Sequence, residues 1–91
     1  MHELALMQSV AELALAEGRQ RGAEAITRIR LRVGRLAGVD PQALIFAAEV
    51  VLEGSLAAGA RLEIERVSGW ELELSSLELL LPDETSPAQP A

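Results

Sequence analysis

Ile29-Arg30-Leu31-Arg32-Val33-Gly34-Arg35-Leu36-Ala37-Gly38-Val39-Asp40-Pro41-Gln42-Ala43-Leu44 is the stretch that decides the fold, because within it an alternating pattern gives way to a helical one. Upstream, Ala25 to Val33 puts Thr27, Ile29, Leu31 and Val33 on one side and Arg28, Arg30 and Arg32 on the other, the signature of a strand with one wet face. Gly34 to Val39 reads as a loop. Asp40-Pro41 then starts a helix: an aspartate accepts the orphan N–H groups of the first turn, and proline suits the first helical position. Asp40 could also serve as a second carboxylate near a metal, but capping explains it fully. The helix ends near Gly54, with Leu44, Ala47, Ala48, Val51 and Leu52 on a broad apolar face. Phe46 falls in a polar stripe with Gln42, Glu49 and Glu53; packing under a loop or against the first helix is the expected account, with a partner contact as the alternative.

Outward from this centre, Leu4 to about Arg21 predicts an amphipathic helix with Leu6, Met7, Val10, Leu13 and Ala14 inward, stopped by Gly22. Ala60 to Val67 and Trp70 to Leu81 alternate again, and Ser68-Gly69 between them reads as a tight turn, so a hairpin is expected. The alternation slips at Ser75-Ser76, which suggests a bulge there or the end of regular pairing. Glu63, Glu65, Glu71 and Glu73 are opposite in sign to the arginine row, and cross-strand pairing on a solvated face is expected. The predicted fold is α+β, a small three-stranded mixed sheet with two helices packed on one face, the first two strands parallel. It occupies residues 1–81, and residues 82–91, rich in proline and polar groups, are expected to be a flexible C-terminal tail.

Ninety-one residues, 49% of them apolar, give one small domain burying about two thirds of its unfolded surface. A net charge of −6 offers no basic footprint, so no nucleic acid is expected as a partner. All eight basic residues are arginine, which removes lysine chemistry. The absence of cysteine excludes disulfides, thiolate zinc sites and thiol nucleophiles. With a single histidine and no glycine-rich phosphate loop, no catalytic triad or nucleotide site can be assembled, and the chain is not expected to be an enzyme. No secretory signal or membrane span is apparent: the longest apolar run, Ala43 to Leu52, is broken by Glu49, and a cytoplasmic location follows as the default.

The single histidine lies in Met1-His2-Glu3, so transition-metal chemistry must use the amino end. A free Met1 amine, the deprotonated His2 amide and the His2 ring Nδ1 can wrap one ion in a plane, an arrangement suited to Ni(II) or Cu(II). Glu3, water or a partner's donor would complete the set. A solvated histidine on a frayed terminus is the competing account. Amine and imidazole must both lose protons to bind, so the chelate predicts an affinity that falls below neutrality.

Met1-His2-Glu3 leading into an amphipathic helix, the run Ile29 to Leu44, and Gly59-Ala60-Arg61-Leu62-Glu63-Ile64 together resemble the HypA/HybF hydrogenase nickel-incorporation proteins over residues 1 to about 67, with Gly69 to Leu79 similar to that family's final strand. The resemblance implies a nickel metallochaperone that takes Ni(II) at Met1, His2 and Glu3. It also implies delivery, with a nickel-insertion GTPase, to the large subunit of a nickel-iron hydrogenase or to urease. Family members carry a zinc module with two Cys-x-x-Cys pairs between the last two strands; here Val67-Ser68-Gly69-Trp70 bridges that position, so no zinc is expected. The family's fourth nickel ligand can be a histidine from outside the amino-terminal motif, and this chain has none to offer. The alternative is a metal-free relative that acts as a docking or regulatory module through Phe46 and the apolar helix face. Apolar coverage on both helices allows a homodimer without requiring one.

Overall fold

In a computed structural model describing residues 2–82, the elements are α1 (Glu3–Gln20), β1 (Ala25–Gly34), a single 3-10 turn (Arg35–Ala37), α2 (Pro41–Val51), β2 (Arg61–Val67) and β3 (Leu72–Leu80). The α+β reading holds, with a three-stranded mixed sheet covered on one face by two helices. Of the expected tail, only Pro82 lies within the described residues.

The hairpin does not form. Strand order is β2-β1-β3, so β2 and β3 do not pair with each other but flank β1, the first in parallel and the second antiparallel. Ser68 to Glu71, instead of folding back on β2, crosses the end of the central strand. There Gly34 N–H donates to the Glu71 carbonyl at 2.6 Å and Leu36 N–H to the Gly69 carbonyl at 2.8 Å. The backbones approach so closely that a Cβ on Gly34 would collide with the Gly69 carbonyl oxygen. Placing β1 in the middle buries its apolar side from both flanks: Ile29, Leu31 and Val33 are fully buried. It also gives the arginine row acidic neighbours on both edges. Arg30 lies opposite Glu63 and Arg32 opposite Glu65 on β2, while Arg32 faces Glu73 and Arg28 faces Glu78 on β3.

The expected charge pairing is thereby realised twice over. Arg30 Nη2 is 2.9 Å from Glu63 Oε1, and Arg32 Nη1 is 3.2 Å from Glu73 Oε1. With the arginines still 38% to 47% exposed, each pair contributes less than about 1 kcal/mol, and the face is a solvated one.

Two departures concern which residues face inward. Leu13 is 62% exposed, and Ala11, with Met7, Val10 and Ala14, takes the buried side of α1. In β1 an irregularity in the pairing between Ile26 and Arg28 turns Ile26 inward and Thr27 outward, where its hydroxyl donates to Glu78 Oε1 at 2.9 Å. The bulge expected at Ser75-Ser76 is present. The register passes from Arg30–Ser76 to Leu31–Leu74, and Ser75 Oγ donates to the Arg30 carbonyl at 3.1 Å.

Candidate metal centre at the start of the first helix

Met1 lies outside the described residues, so the site is built from His2 onward. His2 occupies the N-cap of α1 with φ −94° and ψ 87°, and its carbonyl accepts the first helical hydrogen bond, from Leu6 N–H at 3.0 Å. A serine or aspartate here would turn its side chain back onto the first-turn N–H groups; the His2 ring makes no such cap bond and is exposed. The His2 amide nitrogen precedes the helical ladder, so a metal that displaced its proton would break no helical bond.

Glu3 opens the helix and reaches across to the second one. Its Oε2 accepts from Asp40 N–H at 2.9 Å. This bond, together with Glu3's own backbone N–H, holds the Glu3 carboxyl below the usual carboxylate range, so it is anionic at neutral pH. Asp40 is occupied in turn: its Oδ1 accepts from Gln42 N–H at 3.0 Å and Ala43 N–H at 3.4 Å, so the capping role holds for it. The two helix starts are thus stitched together through the Asp40 backbone, and Glu3 has one oxygen committed to that stitch.

Phe46 departs from expectation. It is 68% exposed, because α1 and the sheet are met by Leu44, Ala47 and Ala48, which leaves the stripe shared with Gln42 and Glu49 facing outward. With Leu4, Ala43 and Val50 it borders a shallow apolar depression beside His2 and Glu3. Sequence reasoning noticed Phe46 but missed its position beside the candidate metal ligands. No local pattern announces it, because Leu4 is the second residue of α1 and Phe46 the sixth of α2, and only the Glu3–Asp40 bond shows that the two helix starts meet. Among the described residues no group of three or more histidine, cysteine, aspartate or glutamate side chains converges, so a metal held here would need donors besides His2 and Glu3. An exposed imidazole, an amide free of the helical ladder and an adjacent anionic carboxylate suit a divalent cation of nitrogen and oxygen preference. No helix among the described residues is long and apolar enough to cross a membrane.

The family described as hydrogenase/urease nickel incorporation, metallochaperone, hypA matches residues 1–75. The chain is 48% identical over 69 residues to the hydrogenase maturation factor HypA of Rhizobium leguminosarum bv. viciae, covering 76% of this chain and 61% of that protein. It is 44% identical over 70 residues to the protein of the same name from Methanopyrus kandleri, covering 77% of this chain and 49% of the relative. For the HypA of Paracoccus denitrificans the figures are 39% identity over 88 residues, 96% and 78%. The chain therefore spans between about half and two thirds of the length of most of the curated relatives it matches. A solution structure of the Ni metallochaperone HypA from Helicobacter pylori superposes with a TM-score of 0.78 at 21% identity, over 90% of this chain and all of that one, a likeness of fold. By the extent of the family match and the identity to these relatives, the chain belongs to the HypA family.

Proposed function

We propose that this protein is a nickel carrier for the maturation of a nickel-iron hydrogenase or of urease, and that it takes Ni(II) as cargo at Met1, His2 and Glu3. The observation that carries the reading is the state of His2: at a helix start where a side chain would ordinarily cap, its ring is exposed and makes no cap bond. Beside it, the Glu3 carboxylate accepts from the Asp40 N–H, which lowers its pKa further. Membership of the HypA family supports nickel as the cargo, because raw affinity in such a nitrogen set would favour copper. A chelate with an exchangeable fourth position can release its ion, which is what a carrier needs. The carrier unit comprises residues 1–81 and acts in the cytoplasm without catalysing a reaction. It delivers to a nickel-insertion GTPase and the hydrogenase large subunit, the partners the family resemblance implies. The depression beside His2, bordered by Leu4, Phe46 and Val50, supports transfer by direct contact at that end of the molecule.

The test is a Ni(II) titration of protein with a free amino terminus, beside His2→Ala and a version extended by one or two residues. Both changes should abolish the absorption band of planar Ni(II), and affinity of the unmodified protein should fall as pH drops below neutrality because binding displaces protons. Equal binding by all three proteins would overturn the site, and no binding by any of them would leave the metal-free docking reading.

A further inference from the structure

β3 lies at an edge of the sheet, and from Leu72 to Leu79 it reads Leu-Glu-Leu-Ser-Ser-Leu-Glu-Leu, the same in both directions. Its exposure is equally symmetric: Leu72, Leu74, Leu77 and Leu79 are half-buried on the helix side, and Glu73, Ser75, Ser76 and Glu78 are exposed. The centre of this symmetry is the bulge at Ser75-Ser76.

The bulge matters for what the edge can pair with. Opposed residues of two antiparallel strands share a face, yet in a regular strand Leu72 and Leu79, an odd number of positions apart, would face opposite sides. The slip at Ser75 brings both leucines to the helix side. With it, a twofold axis through the Ser75-Ser76 centre sets Leu72 opposite Leu79 of another copy, Leu74 opposite Leu77, and Glu73 opposite Glu78, each residue on its proper face. The bulge follows from the same mirror pattern, since leucines alternating outward from the Ser75-Ser76 centre share one face only if the strand slips there.

The surface beside this edge has a matching need. An apolar groove runs between α1 and β3, lined by Leu6, Val10 and Leu13 on the helix and by Leu74 and Leu77 on the strand. Leu13 stands 62% exposed beside it. We propose that the occupant of this edge is a second copy of the chain: two β3 strands pair antiparallel about the Ser75-Ser76 centre, the sheets join into one, and each α1 lays Leu13 against the seam. Such an interface presents the same patch from both copies, and a strand of palindromic sequence is its own complement. The free backbone groups of β3 are satisfied by the same pairing. Glu73 facing Glu78 opposes the pairing, but both are already engaged within their own chain, Glu73 by Arg32 at 3.2 Å and Glu78 by the Thr27 hydroxyl at 2.9 Å.

Sedimentation analysis of the full chain over a wide concentration range should show a monomer–dimer equilibrium; a monomer throughout would overturn the proposal. Leu13→Glu touches only an exposed position, so circular dichroism should be unchanged while the dimer weakens at least about tenfold. An unweakened dimer would place the interface elsewhere. Because the chain has no cysteine, the register can be read by crosslinking. Glu73→Cys mixed with Glu78→Cys should form a disulfide-linked dimer under mild oxidation, since opposed Cα atoms lie about 4.5 to 5.5 Å apart. Neither variant alone should, because identical positions would be about 17 Å apart along the strands. Crosslinking by the single variants, or none by the mixture, would overturn the register. Nickel binding is not read in any of these arms, so the failure of either idea is distinguishable from that of the other.

Discussion

Glu3 Oε2 and the backbone N–H of Asp40 are 2.9 Å apart, and this one bond fastens the first turn of α1 to the first turn of α2. Residues thirty-seven positions apart are thereby brought to one end of the molecule, and His2, which precedes the bonded glutamate, is placed beside Ala43 and Phe46. Replacing Glu3 with alanine should leave the Asp40 N–H without this acceptor and raise its hydrogen-exchange rate, while Glu3→Gln, which keeps a carbonyl oxygen, should largely preserve protection. Unchanged exchange at Asp40 in Glu3→Ala would show that the bond does not hold the helix starts together.

Asp40 itself caps α2 through Gln42 and Ala43. Asp40→Ala should lower the free energy of unfolding in urea by about 1 kcal/mol, and Asp40→Asn, an equally good cap, should cost a few tenths at most. Equal losses in both variants would mean that charge, and not capping geometry, is what Asp40 contributes.

Gly34 tests the crossing that replaces the expected hairpin. A methyl group there meets the Gly69 carbonyl and lies 2.6 Å from Glu71 N, all of it backbone with little room to yield. Gly34→Ala should destabilise the fold by at least about 2 kcal/mol in chemical denaturation, whereas Leu36→Ala, at a side chain 57% exposed, should stay within about 0.5 kcal/mol. A neutral Gly34→Ala would be incompatible with the crossing.

Phe46 and Leu44 make a second contrast, within one helix. Leu44 is fully buried and its truncation to alanine should cost about 2 to 5 kcal/mol; Phe46→Ser, on an exposed side chain, should change stability by no more than about 0.5 kcal/mol. If Phe46→Ser proved as damaging as Leu44→Ala, the ring would have to be packed against the body of the protein.

The carboxyl of Glu63 is held below the usual glutamate range, chiefly by its hydrogen bond from Arg30 and further by the charges of Arg28, Arg30 and Arg61. A carboxyl depressed in the folded state contributes stability above its unfolded pKa, and that contribution is lost as pH falls through the folded value. Acid titration of stability should therefore show a loss setting in below about pH 4.3, and Glu63→Gln should make that part of the curve shallower, more so at low salt. An identical acid limb in wild type and Glu63→Gln would remove this ion pair from the account.

Much of the architecture was legible in the chain. The start of α2 at Asp40-Pro41, the stop at Gly22, the strands around Ile29 and Ile64 and the slip at Ser75-Ser76 all appear where their local patterns put them, because caps, periods and bulges are set by residues within a few positions of one another. Family membership was legible for the same reason, in contiguous runs from Met1-His2-Glu3 through Ile29 to Leu44. The opposite signs of the arginine and glutamate rows likewise announced cross-strand pairing.

Strand order was not legible. Ser68-Gly69 is a short connection between two alternating segments, and by local rules it is a hairpin turn. What overrides it is a competition among distant groups: only β1 carries both a fully buried apolar side and an unbroken row of arginines, and it gains burial and acidic partners on two edges only by standing between β2 and β3. The outward turns of Leu13 and Phe46, and the meeting of Glu3 with Asp40, depend in the same way on where whole elements settle against each other. The sequence by itself determined the elements, the stop of α1 and the start of α2, the sign of each charged row and the family, since these follow from neighbours along the chain. Which strand lies at the centre, which apolar side chains remain on the surface and what stands beside His2 were decided by the tertiary structure, because burial and backbone pairing are settled among segments that the chain itself keeps far apart.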